Sequence, residues 1–435
     1  MSARIISIVQ NLRRRGTQRA AYRYSSMYKE YYSKSSLLAI HGGGRFEGEV
    51  RESGIDLFLG GNTAGEKECA IREGAKWGPD MIHIHREGGG EQGILRAAEK
   101  ICKKIGKKIP IVETNVFARV DRSEKRRLID VHFLLTKWCL WKWMSWGRDL
   151  NPTPVGTVLP YPVDRRTFFP SPKKKINRFK KEIGLKEKNF LYTRVGGSGP
   201  SKWKNTTINS FEKIGKKYDK VNLLMVNPPA KIKKGLQALP KKVNSKVKIL
   251  DEIRDDERLK DAYSASQVFV HSSKIGESFG MVLGEAMSCG TPVITLSTPL
   301  RDNSQVEVVG HNEGGLVAAN QSGFERSMEM LYKNEKRRKE LSVKAIERVR
   351  KNYSEKTVKE KLVNRSEKIM WCIKNNKSVS KKFSSEISLN EIDKWVREKL
   401  KKSIGKTGFG KRVAMSLLHR PKIYSTFKYV KGVFK

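Results

Sequence analysis

The stretch His271-Ser-Ser-Lys-Ile-Gly-Glu-Ser-Phe-Gly-Met-Val-Leu-Gly-Glu-Ala-Met-Ser-Cys-Gly-Thr-Pro-Val-Ile-Thr-Leu296 decides the fold. An apolar strand, Val268–Val270, reads into it, and another, Pro292–Ile294, reads out of it. Between them the run Met281–Ser288 is helix-like, closed by Gly290 near its C-terminal end. Strand, loop, helix and strand make a βαβ unit whose loop opens onto a helix N-terminus. Ligands of open α/β sheets bind outside the carboxyl ends of the strands. The loop is therefore expected to be a substrate-binding edge. It carries Glu277, with Glu285 eight positions on and Phe279 and Gly280 between. Such a pair suits more than one chemistry. A retaining hydrolase sets its acid and its nucleophile ~5 Å apart, while carboxylates also accept from paired sugar or ribose hydroxyls. The plainest alternative is an acid that favours the helix dipole, followed by a solvated helix glutamate.

The same alternation extends in both directions. Strands are expected at Asn189–Arg194, Val221–Val226, Val247–Leu250 and Gly314–Ala318, with helices at Thr206–Lys217, Asp256–Ser264, Phe324–Tyr332 and Lys336–Lys351. An earlier series has strands at Arg4–Val9, Leu37–Ile40, Asp56–Leu59, Met81–Ile84, Ile109–Glu113, Phe133–Thr136 and Thr157–Tyr161. Alternation of this kind predicts parallel sheets with helices on both faces. Pro160, Pro162, Pro170 and Pro172, followed by the run Lys173–Lys175, read as a linker. The expected fold class is therefore α/β, with two Rossmann-like doubly wound parallel-sheet domains. Their expected limits are 1–170 and 171–375, with a basic C-terminal extension over 376–435. A helix with four tryptophans, Trp138–Trp146, reads as packing or an interface, the sharper alternative being an acceptor or membrane surface.

At 435 residues two domains are the default. No run is apolar and long enough to span a bilayer. The N-terminus puts Ile5–Val9 before Arg13–Arg15, the reverse of a signal peptide, which predicts a cytoplasmic chain. Five cysteines without paired spacing argue against a zinc site or a disulfide framework. The formal net charge of +44 favours an anionic partner. From Lys394 onward 13 Lys or Arg face one acid, Glu398, and apolar residues such as Phe409, Leu417 and Phe434 are interspersed. Such a tail can bind an anionic membrane surface, which would make the protein peripheral at its inner face. Compositional drift toward lysine is the bland reading of the same charge.

Two further stretches carry chemistry. Thr193-Arg-Val-Gly-Gly-Ser-Gly-Pro-Ser-Lys-Trp-Lys204 is a strand end, a glycine-rich loop and a pair of lysines. It lacks G-x-G-x-x-G after a first strand and the Gly-Lys-Ser/Thr ending of a P-loop, so dinucleotide binding and ATP hydrolysis are set aside. Met81-Ile-His-Ile-His-Arg-Glu-Gly-Gly-Gly90 is a strand entering a glycine loop, and alternation puts His83 and His85 on one face. No carboxylate or Cys partner accompanies them, so no metal site is expected.

The run Gly276–Ile294 resembles the signature of glycosyltransferase family 4 (glycosyl transferases group 1), a retaining family with the GT-B fold. The resemblance rests on E-x7-E, on Phe-Gly after the first Glu, on Glu-Ala, and on Gly-Thr-Pro-Val before the strand. It covers about Asn189–Tyr353 well and the first half mainly in strand order. It implies two Rossmann-like domains facing across a cleft, and a nucleotide-diphosphate sugar as donor substrate, with no bound cofactor and no catalytic metal. The residue roles it implies begin with Glu277 on hydroxyls of the transferred sugar and Glu285 on the donor ribose. Ser278, Phe279, Gly280 and Met281 fall at the donor-binding loop, where backbone N–H groups of Phe279, Gly280 and Met281 meet the diphosphate at a helix N-terminus. Arg194 and a lysine hold the departing diphosphate; Lys202 and Lys204 compete for that place, and Lys202 is favoured. His85, at a strand end, faces the reacting sugar, with His83 a core histidine.

The stretch Arg15-Gly16-Thr17-Gln18-Arg19 resembles the family's acceptor loop with one glycine and the acid missing, leaving Gly16 as the point of close backbone approach. Glu113–Asn115 and His271 are further rim candidates. The expected activity is retaining transfer of a sugar to an acceptor hydroxyl, in cell-surface or lipid-linked glycan synthesis. The partners are the nucleotide sugar and a glycan or lipid-linked acceptor, with no specific nucleic acid. Two rivals stand beside it. An inactive GT-B-like scaffold is opposed by the retained Glu277, Glu285 and Arg194, and a basic nucleic-acid-binding protein lacks any fingerprint beyond charge.

Overall fold

The structure is a computed structural model that describes residues 3–13, 16–383, 388–406 and 408. It divides into two compact units: Met1–Pro162 with Lys356–Asp393, and Val163–Glu355 with Lys394–Lys435. The first unit holds seven strands, β1 (Arg4–Val9), β2 (Lys34–Ala39), β3 (Asp56–Leu59), β4 (Met81–Arg86), β5 (Ile111–Asn115), β6 (Val131–Leu134) and β7 (Gly156–Val158). Their order is β3-β2-β1-β4-β5-β6-β7, and every pairing is parallel. The second unit holds β8 (Phe190–Val195), β9 (Val221–Val226), β10 (Val247–Leu250), β11 (Val268–His271), β12 (Val293–Leu296) and β13 (Gly315–Ala318). Their order is β10-β9-β8-β11-β12-β13, again all parallel.

The sequence dictates this through burial on both faces. A parallel sheet covered by helices needs near-continuous apolar strands, and β9, Val-Asn-Leu-Leu-Met-Val, is buried at every position. Helices between strands begin where their caps say they should. Thr63 and Glu66 form a capping box before Ala64–Lys76. Asp255 accepts from Glu257 and Arg258 N–H to start Asp256–Ser264. The second core gathers Phe190, Tyr192, Phe211, Leu223, Val270 and Ile294, among others. The first gathers Ile6, Ile8, Ile82, Ile84, Leu95 and Ile101.

Three features depart from the sequence expectation. The run Lys173–Lys175 opens a helix, Lys173–Glu182, instead of ending a linker. Phe179 is buried in it, and Lys180 Nζ reaches back to the carbonyls of Glu187 and Asn189 at 2.9 and 2.8 Å. The division falls at Val163 instead of 171. Val163 N–H donates to Tyr353 O at 2.7 Å, and Ser288 Oγ donates to Phe168 O at 2.6 Å, which ties this segment to the second unit. Finally, Lys356–Asp393 groups with the first unit: Arg365 Nε donates to Thr157 Oγ1 at 3.2 Å, and Tyr28 Oη lies 3.1 Å from Ser366 Oγ.

The tryptophan helix, Lys137–Trp146, buries Trp138, Trp141 and Trp143, which is the packing role. Within the basic extension Leu389–Lys401 is a helix, and Ile404 then bridges to Ala318 of β13. Phe409, Leu417, Phe434 and the other residues from 409 on lie outside the described residues. Among the described residues no helix is long and apolar enough to cross a membrane.

Candidate active site

In a doubly wound sheet the strand order reverses at a switch point, and the strand ends diverge there. In the second unit that point lies between β8 and β11, which are neighbours. Arg194 stands at the end of β8 and His271 at the end of β11. Both are buried, 1 % and 0 % exposed. The loops that follow them supply the remaining groups.

Arg194 is held on several sides. Its guanidinium donates to Val195 O, and to Lys202 O at 2.9 Å. Its Cζ lies 4.7 Å from the centre of the Trp203 ring. Its Nε is buried with no hydrogen-bond partner among the described residues. Burial pulls its pKa down to about 10, against the pull of Glu277 and Tyr263, so the guanidinium stays charged at neutral pH.

Lys202 closes the short 3-10 turn Pro200–Lys202, and its Nζ donates to Glu277 Oε2 at 2.7 Å. Lys204 is exposed. The other carboxylate oxygen of Glu277 lies 3.3 Å from His271 Nε2. Burial alone would raise the Glu277 carboxyl; hydrogen bonds and charge from His271 and Lys202 outweigh it and bring the pKa down to about 2. Burial and Arg194 push His271 down to about 4, against the pull of Glu277. At neutral pH the pair is therefore an ionised carboxylate beside a neutral imidazole.

The backbone around Glu277 is fixed from below. Gln305, fully buried, accepts from Glu277 N–H at 3.0 Å. Its Nε2 donates to Leu296 O at 3.0 Å and to Thr298 Oγ1 at 2.7 Å. Gly276 has φ +74°, and a Cβ there would stand 1.6 Å from Asp302 O, so only glycine fits. Phe279 is buried edge-on against Tyr353, with ring centres 5.4 Å apart. Gly280, at φ +85°, turns the chain into helix Met281–Ser288. Ser278 is buried, and Met281 is half-buried at the first helical position. Glu285 lies one turn deeper and is buried, accepting from Tyr263 Oη at 3.0 Å.

Arg194, Lys202, Glu277 and His271 thus form one connected cluster. His85 and Gly16 belong to the first unit, at its own switch point between β1 and β4. Gly16 opens the helix that follows β1, Gly16–Tyr32. His85 is 1 % exposed and stacks on His83 with ring centres 4.1 Å apart. Neither of its ring nitrogens has a hydrogen-bond partner among the described residues, and burial drives its pKa down to about 3. His83 is fully engaged, with Tyr28 Oη at 3.0 Å and Thr114 Oγ1 at 2.8 Å, as a core histidine would be. Glu113, a rim candidate from sequence, is buried instead. It pairs with Arg86 Nε at 2.5 Å and with His132. Gln305, Trp203 and Tyr263 were not singled out by the sequence. Trp203 sits inside the glycine-rich loop that was, but nothing in spacing marks the other two.

Residues 175–348 match the glycosyl transferases group 1 family. The structure resembles that of Anabaena Alr3699/HepE in complex with UDP-glucose, with a TM-score of 0.67 at 14 % identity, covering 83 % of this chain and 98 % of that one. It also resembles a glycosyltransferase from Rickettsia africae ESF-5, with a TM-score of 0.68 at 13 % identity, covering 85 % and 99 %. The two parallel-sheet α/β domains are thus those of the GT-B fold. In sequence, 211 residues are 28 % identical to N-acetyl-alpha-D-glucosaminyl L-malate synthase of Bacillus anthracis. That match takes in 48 % of this chain and spans about half, 51 %, of the relative's length. Fold and family match together are consistent with a nucleotide-sugar glycosyltransferase.

Proposed function

We propose that the chain is a retaining glycosyltransferase of family 4 type, moving a sugar from a nucleoside-diphosphate sugar to an acceptor hydroxyl. The observation that carries this reading is the cluster of buried Arg194 and Glu277 with the half-buried Lys202 at the switch point of the second unit. Two cations and an ionised carboxylate there match what the donor presents, a diphosphate and a polyhydroxylated ring. Arg194 and Lys202 stabilise the charge that develops as the nucleoside diphosphate departs, the first as a fork and the second as a point charge. Backbone N–H groups of Phe279, Gly280 and Met281, at the N-terminus of an eight-residue helix, add partial positive charge. Glu277 accepts from sugar hydroxyls and Glu285 from the ribose.

In this mechanism the acceptor hydroxyl attacks from the face that the diphosphate leaves, and no protein nucleophile is needed. The state of Glu277 favours this over a hydrolase-like role. A carboxylate already held by Lys202 and a neutral His271 is a poised hydrogen-bond acceptor. His85 and Gly16, in the first unit, are assigned to the acceptor side.

A thermal-shift panel of nucleoside-diphosphate sugars tests the reading. A ligand that binds only the native state raises the melting temperature, by about 2.7 kcal/mol of stability at a hundredfold excess over Kd. At least one donor is expected to do so, and a flat panel would overturn the proposal.

The acceptor side of the proposal is a glycan or lipid-linked acceptor met at the cytoplasmic face of a membrane. The net charge of +44 supports it, because polybasic segments gain ~1 kcal/mol per Lys or Arg near an anionic surface. Sedimentation with phosphatidylserine-containing vesicles is expected to pull the protein down at low salt and to release it at high salt. Equal recovery with neutral vesicles would remove the membrane part.

A further inference from the structure

Trp203 is buried, 4 % exposed, in a loop otherwise built of glycine, serine, proline and lysine. It follows one cation of the cluster, Lys202, in the chain and stacks against the other, Arg194. Its ring lies under the Arg194 guanidinium at 4.7 Å, and its Nε1 donates to Gly197 O at 2.7 Å, closing the loop on itself. The residue before it, Lys202, gives its carbonyl to Arg194 at 2.9 Å and its ammonium to Glu277 at 2.7 Å. Ser201 O accepts from Lys274 and Ile275 N–H at 3.1 and 3.3 Å, so the same loop docks on the segment leading to Glu277. Gly196 completes the fit. A Cβ there would stand 3.3 Å from Trp203 Cζ2 and 3.4 Å from both terminal guanidinium nitrogens.

A buried guanidinium without a carboxylate of its own needs something to fix its plane. A large aromatic face does this, because it attracts the cation and presents a flat support. We infer that Trp203 is a positioning residue that sets Arg194 and Lys202 in one fixed relation, so that both cations can meet a single diphosphate. The inference rests on the donor-binding reading above and adds the group that organises it. It accounts for the length of the loop: the chain must leave β8, pass under its own arginine and return with Lys202 facing Glu277. Gly196 is then small because the stack requires it, and Gly197 is bonded because the indole N–H needs an acceptor.

The test uses the full chain in three forms: native, Trp203→Phe and Trp203→Leu. Two readouts are taken on each. The first is affinity for UDP, GDP and ADP by calorimetry, beside the melting temperature without ligand. The second is the rate at which phenylglyoxal modifies Arg194, followed by peptide mass mapping. Trp203→Phe keeps an aromatic face, so it should bind the preferred nucleoside diphosphate near the native level even with a lower melting temperature. Trp203→Leu should lose about tenfold or more in affinity, the scale of a desolvated cation–aromatic contact together with a displaced phosphate ligand. It should also open Arg194 to modification.

A merely structural role would lower melting temperature in both variants and leave affinity in the folded fraction unchanged, which would overturn the inference. If the native protein binds none of the three diphosphates, the donor-binding reading fails. The labelling still decides the placement of Arg194, and equal modification in native protein and Trp203→Leu would overturn that too.

Discussion

Arg194→Ala loses about 10²–10³-fold in the rate of sugar transfer, the scale seen when one preorganised donor to a developing charge is removed. The reason lies in where the charge sits. Arg194 is buried at a strand end, and burial lowers its pKa only to about 10, so it carries a full charge in a poorly screened site. Arg194→Lys should recover only part of the activity. An ammonium keeps the charge but cannot donate to Val195 O and Lys202 O while lying flat on Trp203. The measurement is transfer rate with the donor found by thermal shift, beside circular dichroism to show an intact fold. An alanine variant with native activity would remove Arg194 from the mechanism.

Glu277→Gln has the second large effect, a loss of about 10²-fold or more in transfer, because an acceptor-only group is replaced by one that also donates. Its pH signature is separate from activity. The folded pKa of Glu277 is about 2 against an ordinary 4.5. A depressed carboxyl contributes stability that is fully present above 4.5 and is lost as pH falls toward 2. Native protein should therefore lose melting temperature more steeply than Glu277→Gln between those values. His271 acts higher up. Its folded pKa is about 4 against 6.5, so the unfolded chain takes the proton first and stability declines from 6.5 toward 4. That segment should persist in Glu277→Gln, because burial and Arg194, the larger causes, are unchanged. Parallel melting curves over both ranges would contradict the assigned ionisation.

Much of this was legible in the residues. Strands announce themselves as short apolar runs, and β1, β3, β9 and β10 begin and end where the sequence reading put them. Loops that close on glycine, such as the one from Gly276 to Gly280, are visible because positive φ leaves little choice of residue. Lysine-rich segments misled. Lys173–Lys175 resembles a linker on charge alone, yet it starts a helix whose few buried positions, Phe179 and Lys180, suffice to anchor it. The switch from the second unit back to the first after Glu355 leaves no clear compositional mark, because helix Glu355–Lys374, like helix Glu335–Asn352 before it, carries more Lys and Arg than Glu. Within the site, the groups that face a ligand carried recognisable spacing. Those that hold them, Gln305 under Glu277, Tyr263 on Glu285 and Trp203 on Arg194, act across gaps of 28, 22 and nine positions. Such distances are set by the sheet and leave no local pattern.

The bridge from Ile404 to Ala318 has a practical consequence. β13 ends its sheet, and an end strand offers a free row of backbone groups to any passing chain. Ile404 covers part of that row by exchanging hydrogen bonds with Val317 and Ala319 at 2.8 Å each, and Asn320 Nδ2 pins Lys406 O at 3.0 Å beside it. The basic extension is therefore also a molecular selvedge. A protein shortened at Asp393 to strip the positive charge would unravel that border and invite copies to stack edge to edge, whereas one ending at Gly408 would keep the hem sewn.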